Sequence, residues 1–459
     1  MRPDVTQIKN IVVVMMENRS FDHLLGYLSL NKFSRPEVEG LQDAPDWNAK
    51  VASVYQGASF PPWHCNDPFS ALPGDPPHER GPIAVQVGDK VNGVYPMNGF
   101  VSNYATVSPV LPGDQPPVMS YFTPDEAPVT GFLADSFAIC DRWFSSLPGG
   151  TQPNRLMAMS GLSHIDVNAF PLPDQPLVYD WLNEREITWR VYHEGMPFFA
   201  MMPRWTMSIF DENHFRSLDH LDNDIMEAQP GELPNVIFME PTYTDAPHVG
   251  PSSDDHAPTD IKSGQEFLLQ VYKAFSSDLG IWAGTVIIIT YDEHGGFFDH
   301  VPPVPLVTNP PPGVNYPAFE TSGVRVPALI VSPFVQKGTV FHGLLDHTSI
   351  LKFIGQVFGG GSYSQEVDER QVGSVWDVLN VANPSQTPPP APPSLDDYLA
   401  RAVTPVGYTP GKLSHNDIAK SFKAALDRMH NDAPEQMAAK FPELHKKFGP
   451  QGGQNQGNP

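Results

Sequence analysis

The feature that most narrows the fold is a short, unbroken apolar run that stops at a carboxylate, and the chain has it three times. Ile11 to Met16 ends in Glu17 and Asn18, Thr285 to Thr290 leads into Tyr291, Asp292, Glu293 and His294, and Val236 to Met239 ends in Glu240. Apolar runs of this length without alternation are strands buried on both faces. A fourth, Val326 to Val331, follows. Long helix-containing stretches separate them, which predicts an α/β fold with a largely parallel sheet. Ligands of such sheets gather beyond the carboxyl ends of the strands, so Glu17, Glu240 and Asp292 are expected along one edge.

The remaining segments have other characters. Phe21 to Leu30 reads as a helix, and residues 41–128 and 170–234 read as irregular cap regions, where many of the 51 prolines stiffen long loops. A catalytic domain is expected over 1–383, an extended proline-rich linker over 384–411, and a small helical extension over 412–459. In that extension Ser414 is the expected helix cap, and Gly452 to Pro459 is expected to be a disordered tail. With 459 residues, 40% of them apolar, the chain can bury a large core. No uninterrupted apolar run reaches the roughly 20 residues that a membrane-spanning helix needs. Two cysteines, Cys65 and Cys140, permit one disulfide but neither a disulfide framework nor a thiolate zinc site. The first strand begins too close to Met1 for a secretory leader, which suits either a cytoplasmic protein or one whose leader has been removed.

Charge restricts function. Fifty-two acidic residues against 28 basic ones give a formal charge of −24. Such a surface repels polyanions and argues against nucleic-acid binding. An anionic substrate then needs a locally reversed field, and a bound cation supplies one.

Three segments carry the chemistry. Asp292, Glu293 and His294 leave a strand, Gly295 and Gly296 turn the chain, and Asp299 and His300 follow. Carboxylates crowded in this way suit a divalent cation, and the alternative is a solvated acidic loop. Glu17 and Asn18 offer a second oxygen pair, unless Asn18 or Ser20 merely caps the next helix. Gly149 and Gly150 precede Thr151, which stands where a helix would begin. Its hydroxyl either caps that helix or faces an anion held at the helix N-terminus.

Taken together, the segments Glu17-Asn18-Arg19-Ser20-Phe21-Asp22, Thr151-Gln152-Pro153-Asn154-Arg155 and Asp292-Glu293-His294-Gly295-Gly296-Phe297-Phe298-Asp299-His300 closely resemble the bacterial phosphoesterase family. That family contains phospholipases C, plant non-specific phospholipases C and acid phosphatases. The likeness extends from about Ile8 to Phe358, through Glu240-Pro241, Ser253-Asp254-Asp255-His256 and Asp346-His347-Thr348-Ser349. It implies an alkaline-phosphatase-like α/β fold, with a largely parallel sheet flanked by helices and long cap insertions. It also implies Thr151 as nucleophile and one divalent metal ion (calcium, magnesium, manganese, iron or zinc) held by Glu17, Asn18, Thr151, Asp292 and Glu293. Asn154, Arg155 and Glu240 are carried over as substrate-binding residues. Catalytic histidines are expected at His256, with the neighbouring Asp254 and Asp255 raising its pKa, and at His64 and His193, for which a structural loop histidine is the alternative.

The expected reaction is attack of Thr151 on phosphorus, departure of the alcohol with a proton from His256, and hydrolysis of the phosphothreonine. A phospholipase C acting on glycerophospholipids, in transient contact with a membrane surface, is the leading reading. The alternatives are a broad acid phosphatase acting on small phosphomonoesters and an inactive binding module. The cap aromatics Trp63, Phe69, Tyr95, Phe122, Trp181, Trp189 and Trp205 either touch lipid or a choline-like cation, or are packing residues. The resemblance implies a secreted or periplasmic location.

Overall fold

The computed structural model describes residues 2–67, 74–229, 231–384, 387–400 and 416–449. Eight strands make the central sheet: β1 (Asn10–Met16), β2 (Ala138–Cys140), β3 (Trp189–His193), β4 (Phe215–Ser217), β5 (Val236–Glu240), β6 (Thr285–Tyr291), β7 (Ala328–Val331) and β8 (Val340–Phe341). Their order is β8-β2-β7-β6-β1-β5-β3-β4. Strand β1 lies between β5 and β6 and is parallel to both, and β3 and β4 continue the parallel set. Only β7 runs against its neighbours, β6 and β2. Every residue of β1, β5, β6 and β7 is buried, which is why these strands show no alternation. The fourth apolar run enters the sheet only at Ala328, because Pro327 has no N–H for the ladder.

Several expectations change. Residues 170–234 are not only a cap, since they supply β3 and β4; these strands are short and lie toward one edge, so they carry little periodic signal. Phe21 to Leu30 divides into a single α-helical turn, α1 (Phe21–Leu24), and a 3-10 turn (Gly26–Ser29). The break falls where Leu41 closes on Gly26, whose Cβ position lies 2.9 Å from the Leu41 side chain. The expected linker contains a helix, Pro393–Leu399, anchored by the Tyr398 hydroxyl donating to the Glu126 carbonyl at 2.8 Å.

In the cap, helix α2 (Arg80–Val87) follows a proline-rich turn, and α3 (Thr151–Ser160) opens the next stretch. The C-terminal helices α4 (Asp417–Asp432), α5 (Pro434–Lys440) and α6 (Pro442–Phe448) do not stand apart. Phe422 and Met429 are fully buried in the same apolar core as the sheet, with the Phe422 ring 5.9 Å from those of Phe198 and Tyr243. Asn416 caps α4, its side chain accepting from the Ala419 N–H. Ser414, Phe69 and the segment 452–459 lie outside the described residues. Cys65 and Cys140 are both free.

Asp299 and His300 do not join Asp292. They form a separate buried network with Asp22 and Arg325: the guanidinium lies 2.9 Å from Asp22 Oδ1 and 3.1 Å from Asp299 Oδ1, and His300 Nδ1 is 2.6 Å from Asp22 Oδ2. Arg325 also donates to the Glu39 and Asp141 carbonyls. Removing this cation leaves two buried carboxylates with too little countercharge. Arg325→Met is therefore expected to cost about 3–5 kcal/mol, read as a lower midpoint in urea; an unchanged midpoint would refute the assignment.

Candidate active site

The register of the sheet assembles the site. Met16 pairs with Tyr291, and the Asp292 N–H donates to the Met16 carbonyl, so Glu17 and Asp292 leave adjacent strands side by side. Glu240 ends the strand on the other flank of β1. Two turns then lock together: the Asn18 N–H donates to Asp292 Oδ1 at 3.2 Å, and the Arg19 N–H to the Glu293 carbonyl at 3.1 Å. Asn18 has a φ of 62°, a left-handed conformation that asparagine tolerates better than most residues. Ser20 caps α1, so the Asn18 side chain is not needed for that task. Gly295 must be glycine, because its φ is 62° and a Cβ would stand 2.1 Å from the Asn18 carbonyl oxygen. Gly295→Ala is expected to destabilise the protein by about 3 kcal/mol and to lower activity with it, checked by thermal unfolding beside turnover.

Thr151 is the first residue of α3, directly after the N-cap Gly150. The Gly149-Gly150 turn is held by Asn154, whose Oδ1 accepts from the Leu147 N–H and whose Nδ2 donates to the carbonyls of Leu147, Gly149 and Gly150. Those contacts make Asn154 a clamp on the loop rather than a contact for substrate. At the helix end Asn168 Oδ1 takes the Gln152 N–H, and Pro153 has none, so two of the first amides of α3 are not available to an anion.

One turn beyond Thr151, on the same helix face, Arg155 lies 3.2 Å from Glu17 Oε1 and 3.3 Å from Asp292 Oδ2. Its Nη1 donates to the Tyr243 hydroxyl, and Nη2, the nitrogen beside Glu17, donates to the Met15 and Met16 carbonyls. The guanidinium lies 4.5 Å from the Phe198 ring centroid and 4.9 Å from that of Tyr243, two rings that themselves meet edge to face at 5.4 Å. Arg155 therefore orients the two carboxylates from behind. Glu240 accepts from the Phe198 N–H, and burial pushes its carboxyl up to about 7 against the pull of that bond and of Arg155.

Burial also pushes Asp292 up to about 7, with Arg155 opposing and Glu17 and Glu293 adding to the rise. Glu17 is raised as well, chiefly by burial. Three buried oxygens from separate segments, Asn18 Oδ1, Thr151 Oγ1 and Glu293 Oε1, have no hydrogen-bond partner. Leaving such a group unpaired costs about 1–3 kcal/mol. Crowded carboxylates with one arginine among them, together with unpaired hard oxygens, suit a divalent cation in the expected ligand set. Among the described residues, three His, Asp and Glu groups have ligand atoms within 4.8 Å of one another and could hold an ion: Asp75, His78 and His256; Glu17, Asp254 and His256; and Asp22, Asp299 and His300; Glu17, Asp292 and Glu293 do not form such a group.

Of the expected histidines, only His256 reaches this edge. Its Nδ1 is 3.1 Å from Glu17 Oε2, and its Nε2 is 3.4 Å from Asp75 Oδ1, an ion-pair distance without hydrogen-bond geometry. Although burial opposes the charge, Asp75 and Glu17 hold its pKa well above the usual range. Asp254 accepts from the Thr244 and His256 N–H groups, and Asp255 Oδ2 accepts from the Tyr291 hydroxyl. His64 lies near the surface, paired with Glu126 at 2.9 Å. His193 is buried beneath the Phe441 ring with Nδ1 bonded to the Gly195 carbonyl, and burial lowers its pKa to about 3. Both have structural partners of their own. His347 Nε2 donates to the Asp292 carbonyl at 2.6 Å, which leaves Nδ1 to accept from Trp143 and makes it a neutral support.

The histidine that the sequence did not single out is His78. Its ring centroid is 5.7 Å from that of His256, and its Nε2 is 3.5 Å from Asn18 Nδ2. Against the cost of burial, Glu293 and Asp75 raise its pKa to about 9. The signal that could have found it is the charged run Asp75-Pro76-Pro77-His78-Glu79-Arg80 inside a proline-stiffened cap.

The family model described as the Phosphoesterase family matches residues 8–360. Non-specific phospholipase C1 of Arabidopsis thaliana is 36% identical over 383 residues, covering 76% of this chain and 67% of that protein. Phospholipase C B of Mycobacterium tuberculosis is 28% identical over 450 residues, 87% of this chain and 82% of that one. Among solved structures, a protein in the alkaline phosphatase superfamily from Vibrio parahaemolyticus is 12% identical at a TM-score of 0.33, covering 54% of this chain and 63% of that one. A family match over more than three quarters of the chain, with a relative above one-third identity, makes this protein a member of the phosphoesterase family and a phosphoric ester hydrolase.

Proposed function

We propose that this hydrolase is a phospholipase C that releases diacylglycerol and a phosphorylated head group through a phosphothreonine at Thr151. The observation that carries the reading is the Thr151 hydroxyl, which is buried, unpartnered and at the head of a helix whose next turn clamps Glu17 and Asp292. Glu17, Asn18, Thr151, Asp292 and Glu293 would hold one divalent cation, which when bound supplies a Lewis acid and offsets the charge of the phosphoryl group. Thr151 Oγ1, its proton released to solvent, forms the new bond to phosphorus as the bond to the alcohol breaks. His256, held protonated by Glu17 and Asp75, gives the departing alkoxide its proton, with the His78 imidazolium beside it to attract phosphoryl oxygens. Water then hydrolyses the phosphothreonine and restores the hydroxyl. Relatives named phospholipase C, from plants and from bacteria, support the lipid substrate over a small phosphomonoester.

The test compares phosphorylcholine release from phosphatidylcholine with hydrolysis of an aryl phosphomonoester, each with and without a chelator. Faster release from the lipid, lost on chelation, is expected. Turnover of the monoester alone would replace this reading with an acid phosphatase.

A further inference from the structure

In the cap, Val91 and Val94 form a two-residue hairpin in which each N–H donates to the other's carbonyl, at 2.8 and 3.1 Å. Asn92 and Gly93 between them both have positive φ, 53° and 85°, as a type I′ turn requires. Directly opposed residues of such a ribbon share a face. Here both are apolar, yet they remain 62% and 58% exposed. Val54, also more than half exposed, lines the same open groove of about 500 Å³, together with Trp47, Tyr95 and Lys50. Single exposed valines are ordinary, but three around one groove form a patch.

The charge of this face departs from that of the molecule. The chain carries 52 acidic residues, yet no carboxylate occurs among the described residues lining the groove. Lys50 lines it, and Lys90 lies 4.8 Å over the Tyr95 ring. Apolar tips, aromatic rings and Lys50 in a lining without carboxylates, with the exposed Asp89 and Lys90 just before the hairpin, match the layered chemistry of a phospholipid surface, where valines enter the acyl boundary and lysines meet phosphates. The face is also tied to the catalytic edge. The Gly99 N–H, on the chain leaving the hairpin, donates to the Gln86 carbonyl at 3.0 Å, and Gln86 Oε1 lies 2.7 Å from Nε2 of His294, the neighbour of Glu293. Among the described residues no helix is long and apolar enough to span a bilayer, so contact through this face would be peripheral.

We infer that the Val91–Val94 hairpin and its groove are a docking surface for a phospholipid bilayer, which brings lipid to the cap side of the active site; the inference rests on the phospholipase C reading. The test uses the full chain, sedimented with phosphatidylcholine vesicles, beside turnover of a water-soluble aryl phosphodiester. V91E/V94E should weaken vesicle binding at least about tenfold with soluble turnover unchanged, whereas M226E, a charge placed at an exposed methionine outside the groove, should leave binding within about twofold. Undiminished binding by V91E/V94E, or an equal loss in M226E, would overturn the docking surface. If V91E/V94E also loses soluble turnover, V91T/V94T, which keeps the shape of the ribbon, decides: a fall in vesicle binding supports the surface and unchanged binding refutes it. A wild-type protein that binds vesicles but cleaves only the soluble ester would reject the phospholipase reading and leave the docking result intact.

Discussion

Thr151→Ala is expected to lower turnover at least about a thousandfold while changing stability by less than about 1 kcal/mol. The asymmetry follows from the surroundings of the hydroxyl. Thr151 Oγ1 is buried and bonded to nothing in the fold, so its loss removes no structural hydrogen bond. Alanine at the first position of α3 is also a better helix former than threonine. Rapid quenching with phosphorus-labelled substrate should trap label on the wild-type protein and none on the variant. Label at another residue, or full turnover by the alanine variant, would remove Thr151 from the mechanism.

The second large effect is expected at Asp292. Asp292→Ala takes away a proposed ligand and one of the two carboxylates that Arg155 aligns, so turnover should fall at least about a hundredfold, and divalent ion bound per chain should fall with it. A pH dependence distinguishes this site from an ordinary ion pair. The folded-state pKa of Asp292 is raised to about 7, above its unfolded value, so between about pH 4 and 7 the folded state holds the proton that the unfolded state has lost. In chelated protein this group therefore makes stability fall as pH rises through that window. Added divalent ion should reverse the fall, and Asp292→Asn should remove this group's share of it. Unfolding midpoints followed against pH, with and without ion, measure this directly. Wild-type midpoints that ignore the ion would count against a cation at these carboxylates.

The placement of Glu17, Asn18, Asp292 and Glu293 along one edge was legible because an unbroken apolar run marks a buried parallel strand, and the carboxyl ends of neighbouring parallel strands share one edge. Thr151 was legible because a Gly-Gly turn before a helical stretch marks a helix start. The histidines were not. His64 and His78 lie in the same proline-rich cap, yet one pairs with Glu126 near the surface and the other stands beside Asn18, 60 residues distant in sequence. The same blindness grouped Asp299 and His300 with Asp292, although Arg325 draws them into a different network. It also set the C-terminal helices apart, although Phe422 packs on Phe198 and Tyr243, the two rings against which Arg155 lies.

By itself, then, the order of residues determined the four central buried strands and their polar ends, since each depends on neighbours within a few positions along the chain, and three short motifs determined the family. Tertiary structure decided which histidine faces the carboxylates, which arginine neutralises which aspartate, and which apolar residues stay uncovered. Those outcomes depend on contacts between segments up to 303 residues apart, as between Asp22 and Arg325, and burial gives each contact its energy only after the sheet and cap have closed around it.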